Sequence, residues 1–152
     1  MQRFFTTLLI IAALAAWASP VGAQHQTALY SGQWVGRLTQ KSGGYRTDYY
    51  FEINLQISGN QVTGRSYVSV DNIYAEMELV GFIAEGDVLH FQEERLVRAQ
   101  KPKELEWCYK SGQLKLVRRS DAIYLEGPWQ GVADSGPCIP GWIVLKKQVP
   151  KA

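Results

Sequence analysis

The chain has 152 residues, of which 46% are hydrophobic, 20% charged and 12% aromatic, with 14 Gly, 6 Pro, 2 Cys and a formal charge of +2. That length holds one domain, or one domain behind a targeting segment, and the apolar, aromatic content excludes a disordered chain. The charge is too small for a protein that holds nucleic acid mainly by charge, so no nucleic-acid partner is expected. Two cysteines are too few for a disulfide-built miniprotein.

Residues 1–23 read as a secretory leader, and 24–152 as a single domain. Arg3 is the only charged residue before Arg37, and Leu8 to Ala18 is an apolar run. Ser19-Pro20 ends that run, and Val21-Gly22-Ala23 supplies the small residues a signal peptidase cuts after. Cleavage there leaves 129 residues, secreted or periplasmic. The alternative is an uncleaved anchor, because Phe4 to Ala23 carries no charge, although it includes Thr, Ser, Pro and Gly. No later apolar run is long enough to span a bilayer. In an oxidising compartment Cys108 and Cys138 are expected to pair. Closing a loop of about 30 residues is worth roughly 3–4 kcal/mol in the chain-entropy view.

After Ala23 the apolar residues recur at every second position, the signature of half-buried strands. Gln33 to Gln40 is the first. In the second, Tyr49, Phe51, Ile53, Leu55 and Ile57 alternate with Tyr50, Glu52, Asn54, Gln56 and Ser58. Ser58-Gly59-Asn60 reads as a tight turn. The third, Gln61 to Val70, places Val62, Gly64, Ser66, Val68 and Val70 on one face. Asp71-Asn72 turns the chain into the fourth, Tyr74 to Ala84, with Ala75, Met77, Leu79, Gly81 and Ile83 in phase. Glu85-Gly86-Asp87 leads to the fifth, Val88 to Arg98. Beyond a loop containing Pro102, Leu105 to Lys110 and Gln113 to Arg118 are one bulged strand or a hairpin. Ala122 to Glu126 follows, Pro128 interrupts, and Trp129 to Ala133 resumes. Asp134 to Pro140 is a Gly/Pro loop, and Gly141 to Gln148 closes the chain. The expectation is an all-β protein, an antiparallel up-and-down barrel of about eight strands with one disulfide.

Near the start stands Tyr30-Ser31-Gly32-Gln33-Trp34-Val35-Gly36. A Gly-x-Trp opening the first strand of such a meander resembles the lipocalin and wider calycin group. That resemblance implies that Trp34 plugs the closed end of the barrel, with a late arginine, Arg118 or Arg119, stacked across it. Two features depart from the pattern. Thr47-Asp48-Tyr49 enters the second strand instead of turning in mid-chain, and no helix precedes the final strand. Avidins share the Gly-x-Trp opening, without a matching series of tryptophans here. The stretch Trp129-Gln130-Gly131 with Cys138-Ile139-Pro140-Gly141 resembles small exported bacterial proteins, which implies a compartment and not an activity.

Enzyme chemistry has little support in the residues. His25 lies near the terminus, and His90 and Glu94 share a strand face about 13 Å apart. Hydrolase, zinc-protease and phosphate-loop motifs are lacking, so no catalytic residue, metal or cofactor is expected. Glu93 to Glu106 holds four acids and four bases, a mixed-sign surface. The leading expectation is a non-enzymatic barrel binding a small apolar or anionic amphipathic ligand. Phe51, Ile53, Leu55, Met77, Leu79 and Phe91 would line its cavity, with Arg95 as the polar anchor. Leu89, Phe91, Glu93, Arg95 and Val97 are in phase on the fifth strand, so both charges would point inward unless the strand twists or bulges. The second reading is a filled barrel that meets an envelope or surface protein through its tyrosines or the 134–140 loop. The third is an unrecognised hydrolase with carboxylates gathered around His90.

Overall fold

The computed structural model describes residues 27–152. The leader read at 1–23 and His25 lie outside the described residues. Among those described, nine strands form in chain order: β1 Gly32–Gln40, β2 Asp48–Ser58, β3 Gln61–Val70, β4 Ile73–Ala84, β5 Val88–Gln100, β6 Tyr109–Arg118, β7 Ile123–Ala133, β8 Gly136–Pro137 and β9 Gly141–Lys147. Each strand from β1 to β7 pairs antiparallel with the next, and β9 inserts between β7 and β1. Eight strands therefore close into one antiparallel barrel, and the two residues of β8 pair on the side of β7.

Local chemistry explains the corners. β2 turns into β3 through Gly59 and Asn60, with Ser58 opposite Gln61. Gly59 takes φ +64°, a left-handed conformation that costs glycine little. The turn from β3 to β4 places Asp71 at φ +53°, a region where Asp is among the tolerated residues. Tyr109–Arg118 is one strand, and Leu105 to Trp107 before it is loop. β7 runs unbroken through Pro128, which has no N–H to give. The β6–β7 ladder lapses there, between Gly112 opposite Trp129 and Lys115 opposite Glu126.

The alternation works as read from the sequence. Phe51, Ile53 and Leu55 of β2 are buried while Asn54 and Gln56 face solvent. Inward side chains from all eight barrel strands merge into one apolar core.

One end of the barrel is sealed. Trp34 is fully buried and donates from Nε1 to the Tyr30 carbonyl at 2.8 Å. The cation across it is Lys147, with Nζ 4.9 Å from the ring centroid. This corrects the expectation of an arginine. Lys147 lies opposite Trp34 in the β1–β9 register and donates to the carbonyls of Leu29 and Ser31. Arg118 instead faces Asp87 at 3.7 Å, and Arg119 pairs with Glu126 while covering the Tyr124 ring. Burial lowers the Lys147 pKa, and two carbonyls accept from the ammonium there.

Tyr30 completes the plug. Its side chain is wholly buried, and Oη has no hydrogen-bond partner among the described residues. Burial first, and Asp87 second, raise this phenol far above its ordinary range. In the unfolded chain it ionises near pH 10, so the folded state loses stability as pH climbs past about 10. Tyr30→Phe is expected to leave stability at neutral pH unchanged, or to raise it by about 1–2 kcal/mol. The alkaline fall should become shallower, as read by urea unfolding at neutral pH and again above about pH 10. A loss of more than about 1 kcal/mol at neutral pH would mean that Oη has a partner.

Candidate ligand pocket at the barrel mouth

The opposite end is built around a seam. β5 bonds to β6 only over Val88–Gln92 against Ser111–Lys115. Beyond Gln92 it keeps β4 alone, through two irregularities that leave Glu94 and Val97 outside the register. A bulge of this kind slips the side-chain phase by one. Glu93 keeps the inward phase of Leu89 and Phe91 and is buried. Arg95 does not: its side chain is 64% exposed on the outer face, 2.5 Å from Glu78. Arg98 and Arg65 meet Glu76 on the same face. Of the two orientations left open for Arg95 the structure shows the outward one, away from the interior it was read to anchor, and the first bulge is the reason.

A second inward charge faces Glu93. Lys110 follows the alternation of Gly112, Leu114 and Leu116 into the barrel, and its side chain is 4% exposed. Glu93 Oε1 accepts from Ser66 Oγ at 2.5 Å. Its Oε2 accepts from the Lys110 backbone N–H at 2.8 Å and from Lys110 Nζ at 2.8 Å. Lys110 Nζ also donates to the Cys108 carbonyl at 3.2 Å and stands 5.8 Å from the centre of the Phe51 ring. Where the β5–β6 ladder ends, the carboxylate takes the N–H that a strand carbonyl would otherwise receive.

Above Lys110 lies a cavity of about 310 Å³, partly open to solvent. Leu38, Tyr49, Val68, Val70, Ile73 and Trp129 form much of its wall. Its rim comes from the 101–108 loop and residues 135–139. The disulfide joins these two segments, Cys108 to Cys138, with Cα atoms 6.2 Å apart, as the sequence led us to expect. Glu106 reinforces the tie by accepting from Ser135 N at 3.2 Å and from Ser135 Oγ at 2.5 Å. These bonds, with Lys101 nearby, hold the Glu106 carboxyl below the usual carboxylate range.

Most polar groups in the wall are engaged. Tyr49 Oη donates to Gln40 Oε1 at 3.0 Å and accepts from Arg46 N at 2.9 Å, while burial raises its pKa. Trp129 Nε1 donates to the Thr39 carbonyl at 2.8 Å. Trp107 Nε1 is buried with no acceptor among the described residues.

The six apolar residues read as a lining sit one layer deeper. Phe51, Ile53, Leu55, Met77, Leu79 and Phe91 are each at most 4% exposed and pack together as core. None of them borders the mouth cavity. Sequence reasoning missed Lys110, although the phase it shares with Leu114 and Leu116 carried the signal.

His90 lies on the outer wall, stacked on Phe82 with ring centroids 4.6 Å apart. It borders an outer groove lined in part by Gly112, where a Cβ would meet the Phe91 ring at 2.7 Å. Among the described residues no three His, Cys, Asp or Glu side chains gather as metal ligands. None of their helices is long and apolar enough to cross a membrane, a statement that does not bear on strands. Comparison with protein families, curated proteins and solved structures finds no match to this chain.

Breaking a buried pair by removing one partner leaves the other uncompensated. Lys110→Met and Glu93→Gln should each cost about 3–5 kcal/mol, and the double variant should recover most of that loss. Denaturant midpoints of the four proteins close the cycle. Additive losses would show that the two groups do not act as a pair.

Proposed function

We propose that this chain is an exported, non-enzymatic barrel of lipocalin-like kind that holds one small apolar or amphipathic molecule at its mouth. The observation that carries this reading is the cavity itself. It has apolar and aromatic walls, a buried ammonium at its floor, and a rim pinned by a disulfide. Its volume of about 310 Å³ stands at the small end of pockets that enclose ligands, about 300–1,000 Å³. A disulfide fits an oxidising compartment, secreted or periplasmic. The Gly32-x-Trp34 plug with a cation across the ring supports the calycin-like assignment.

The filled core favours a second reading, an interaction module that meets another envelope protein. Phe82 and Trp142, each close to half exposed on the outer wall, would then supply the contact.

The two readings separate in one titration. With N-phenyl-1-naphthylamine, an uncharged apolar probe, we expect a saturable fluorescence rise of one site per chain at micromolar concentration. Val70→Trp, which fills the cavity from its half-buried wall, should weaken binding at least about tenfold with the thermal midpoint unchanged. Equal binding by the variant would place the probe elsewhere and favour the interaction module.

A further inference from the structure

The chemistry of the mouth narrows the ligand. Resting on the reading above, we propose that the site selects an uncharged apolar molecule carrying a carbonyl group, a ketone, ester or amide, and that this oxygen accepts from Lys110 Nζ, Trp107 Nε1 or both.

Two observations converge. The first is charge balance. Lys110 is matched by Glu93 at 2.8 Å, and the other two charged residues bordering the cavity, Lys101 and Glu106, are of opposite sign, so the charges around it sum to zero. A net anion entering the cavity would find its buried cation already matched by Glu93. A net cation would find the buried carboxylate already matched by Lys110, and the Glu106 carboxylate already accepting two hydrogen bonds from Ser135. Charges taken from water into an apolar pocket are costly without such a partner.

The second is an excess of donors. A lysine ammonium has three protons. One goes to Glu93 and one to the Cys108 carbonyl, and no third acceptor lies within reach among the described residues. Trp107 Nε1–H is buried without an acceptor, which is uncommon for an indole in an interior. Both residues border the same cavity, on the short segment that the disulfide anchors. A buried donor left alone costs free energy that an incoming acceptor returns. Tyr49, Gln40, Trp129 and Ser135 in the same wall already have partners. A lone acceptor on an otherwise apolar skeleton meets both conditions at once.

Three probes with one skeleton test this. 2-Ethylnaphthalene, 2-acetylnaphthalene and 2-naphthoate compete with N-phenyl-1-naphthylamine for the full protein. The ketone is expected to bind about tenfold tighter than either of the others. Infrared spectra with a carbon-13 carbonyl should show the bound ketone's stretch moved from its value in alkane toward its value in alcohol. Equal affinity for all three, tightest binding of naphthoate, or a stretch left at its alkane value would each overturn the proposal while the mouth remains a pocket. Displacement by none of the three would overturn this proposal, and loss of saturable binding by the starting probe would overturn the pocket reading itself.

Discussion

The carboxylate of Glu93 is the constraint on which the mouth depends. It receives a hydroxyl, a backbone N–H and an ammonium, and its side chain has no exposed surface. Without it, the N–H of Lys110 at the end of the β5–β6 ladder would be buried with nothing to bond, and the Lys110 ammonium would be an uncompensated charge. Such a pair adds little stability over apolar residues of equal volume. Its consequence is geometric. It lets β5 leave β6 after Gln92, frees the far half of β5 to bulge, and sets an ammonium beneath an apolar cup.

The barrel is therefore two different ends on one core. At the sealed end, β1 and β9 bring Trp34 and Lys147 opposite each other, and Tyr30 fills the remaining space. At the mouth, strands diverge and two loops stand over the gap, joined through Cys108–Cys138 and through Glu106 with Ser135. Between them the core is filled by residues such as Ile53, Met77 and Leu114. Lys110, whose Nζ stands 5.8 Å from the Phe51 ring centre, marks the boundary between that core and the mouth cavity.

Strand order and facing were legible through the first half of β5 because a two-residue period survives there and the turns carry Gly, Asn and Asp, whereas 105–118 was left open between one bulged strand and a hairpin. For Glu93 and Arg95 the period left two outcomes open, both charges inward or both carried to solvent by a twist or bulge, and the structure divides them. What the sequence did not fix was where the period slips, just past Glu93. A bulge adds one residue without changing composition, so Arg95 kept its apparent phase in the sequence while its side chain turned to Glu78. The cavity depth was not legible either. Alternation tells which way Phe51 or Leu79 points, but not whether facing rings fill the space between them. Lys147 escaped notice because its role comes from cross-strand register with Trp34, and register with a strand more than a hundred residues earlier is not a local property.

The four tryptophans of the described chain stand as separate reporters: Trp34 at the sealed end, Trp107 and Trp129 at the mouth, Trp142 on the outer wall. Proton–nitrogen correlation spectra of their indole N–H groups, recorded as N-phenyl-1-naphthylamine is added, test most directly whether the cup above Lys110 is where a molecule is held. The account predicts that the Trp107 and Trp129 signals move together to saturation while those of Trp34 and Trp142 stay in place. Movement of Trp142 alone, with Trp107 and Trp129 unchanged, would contradict it.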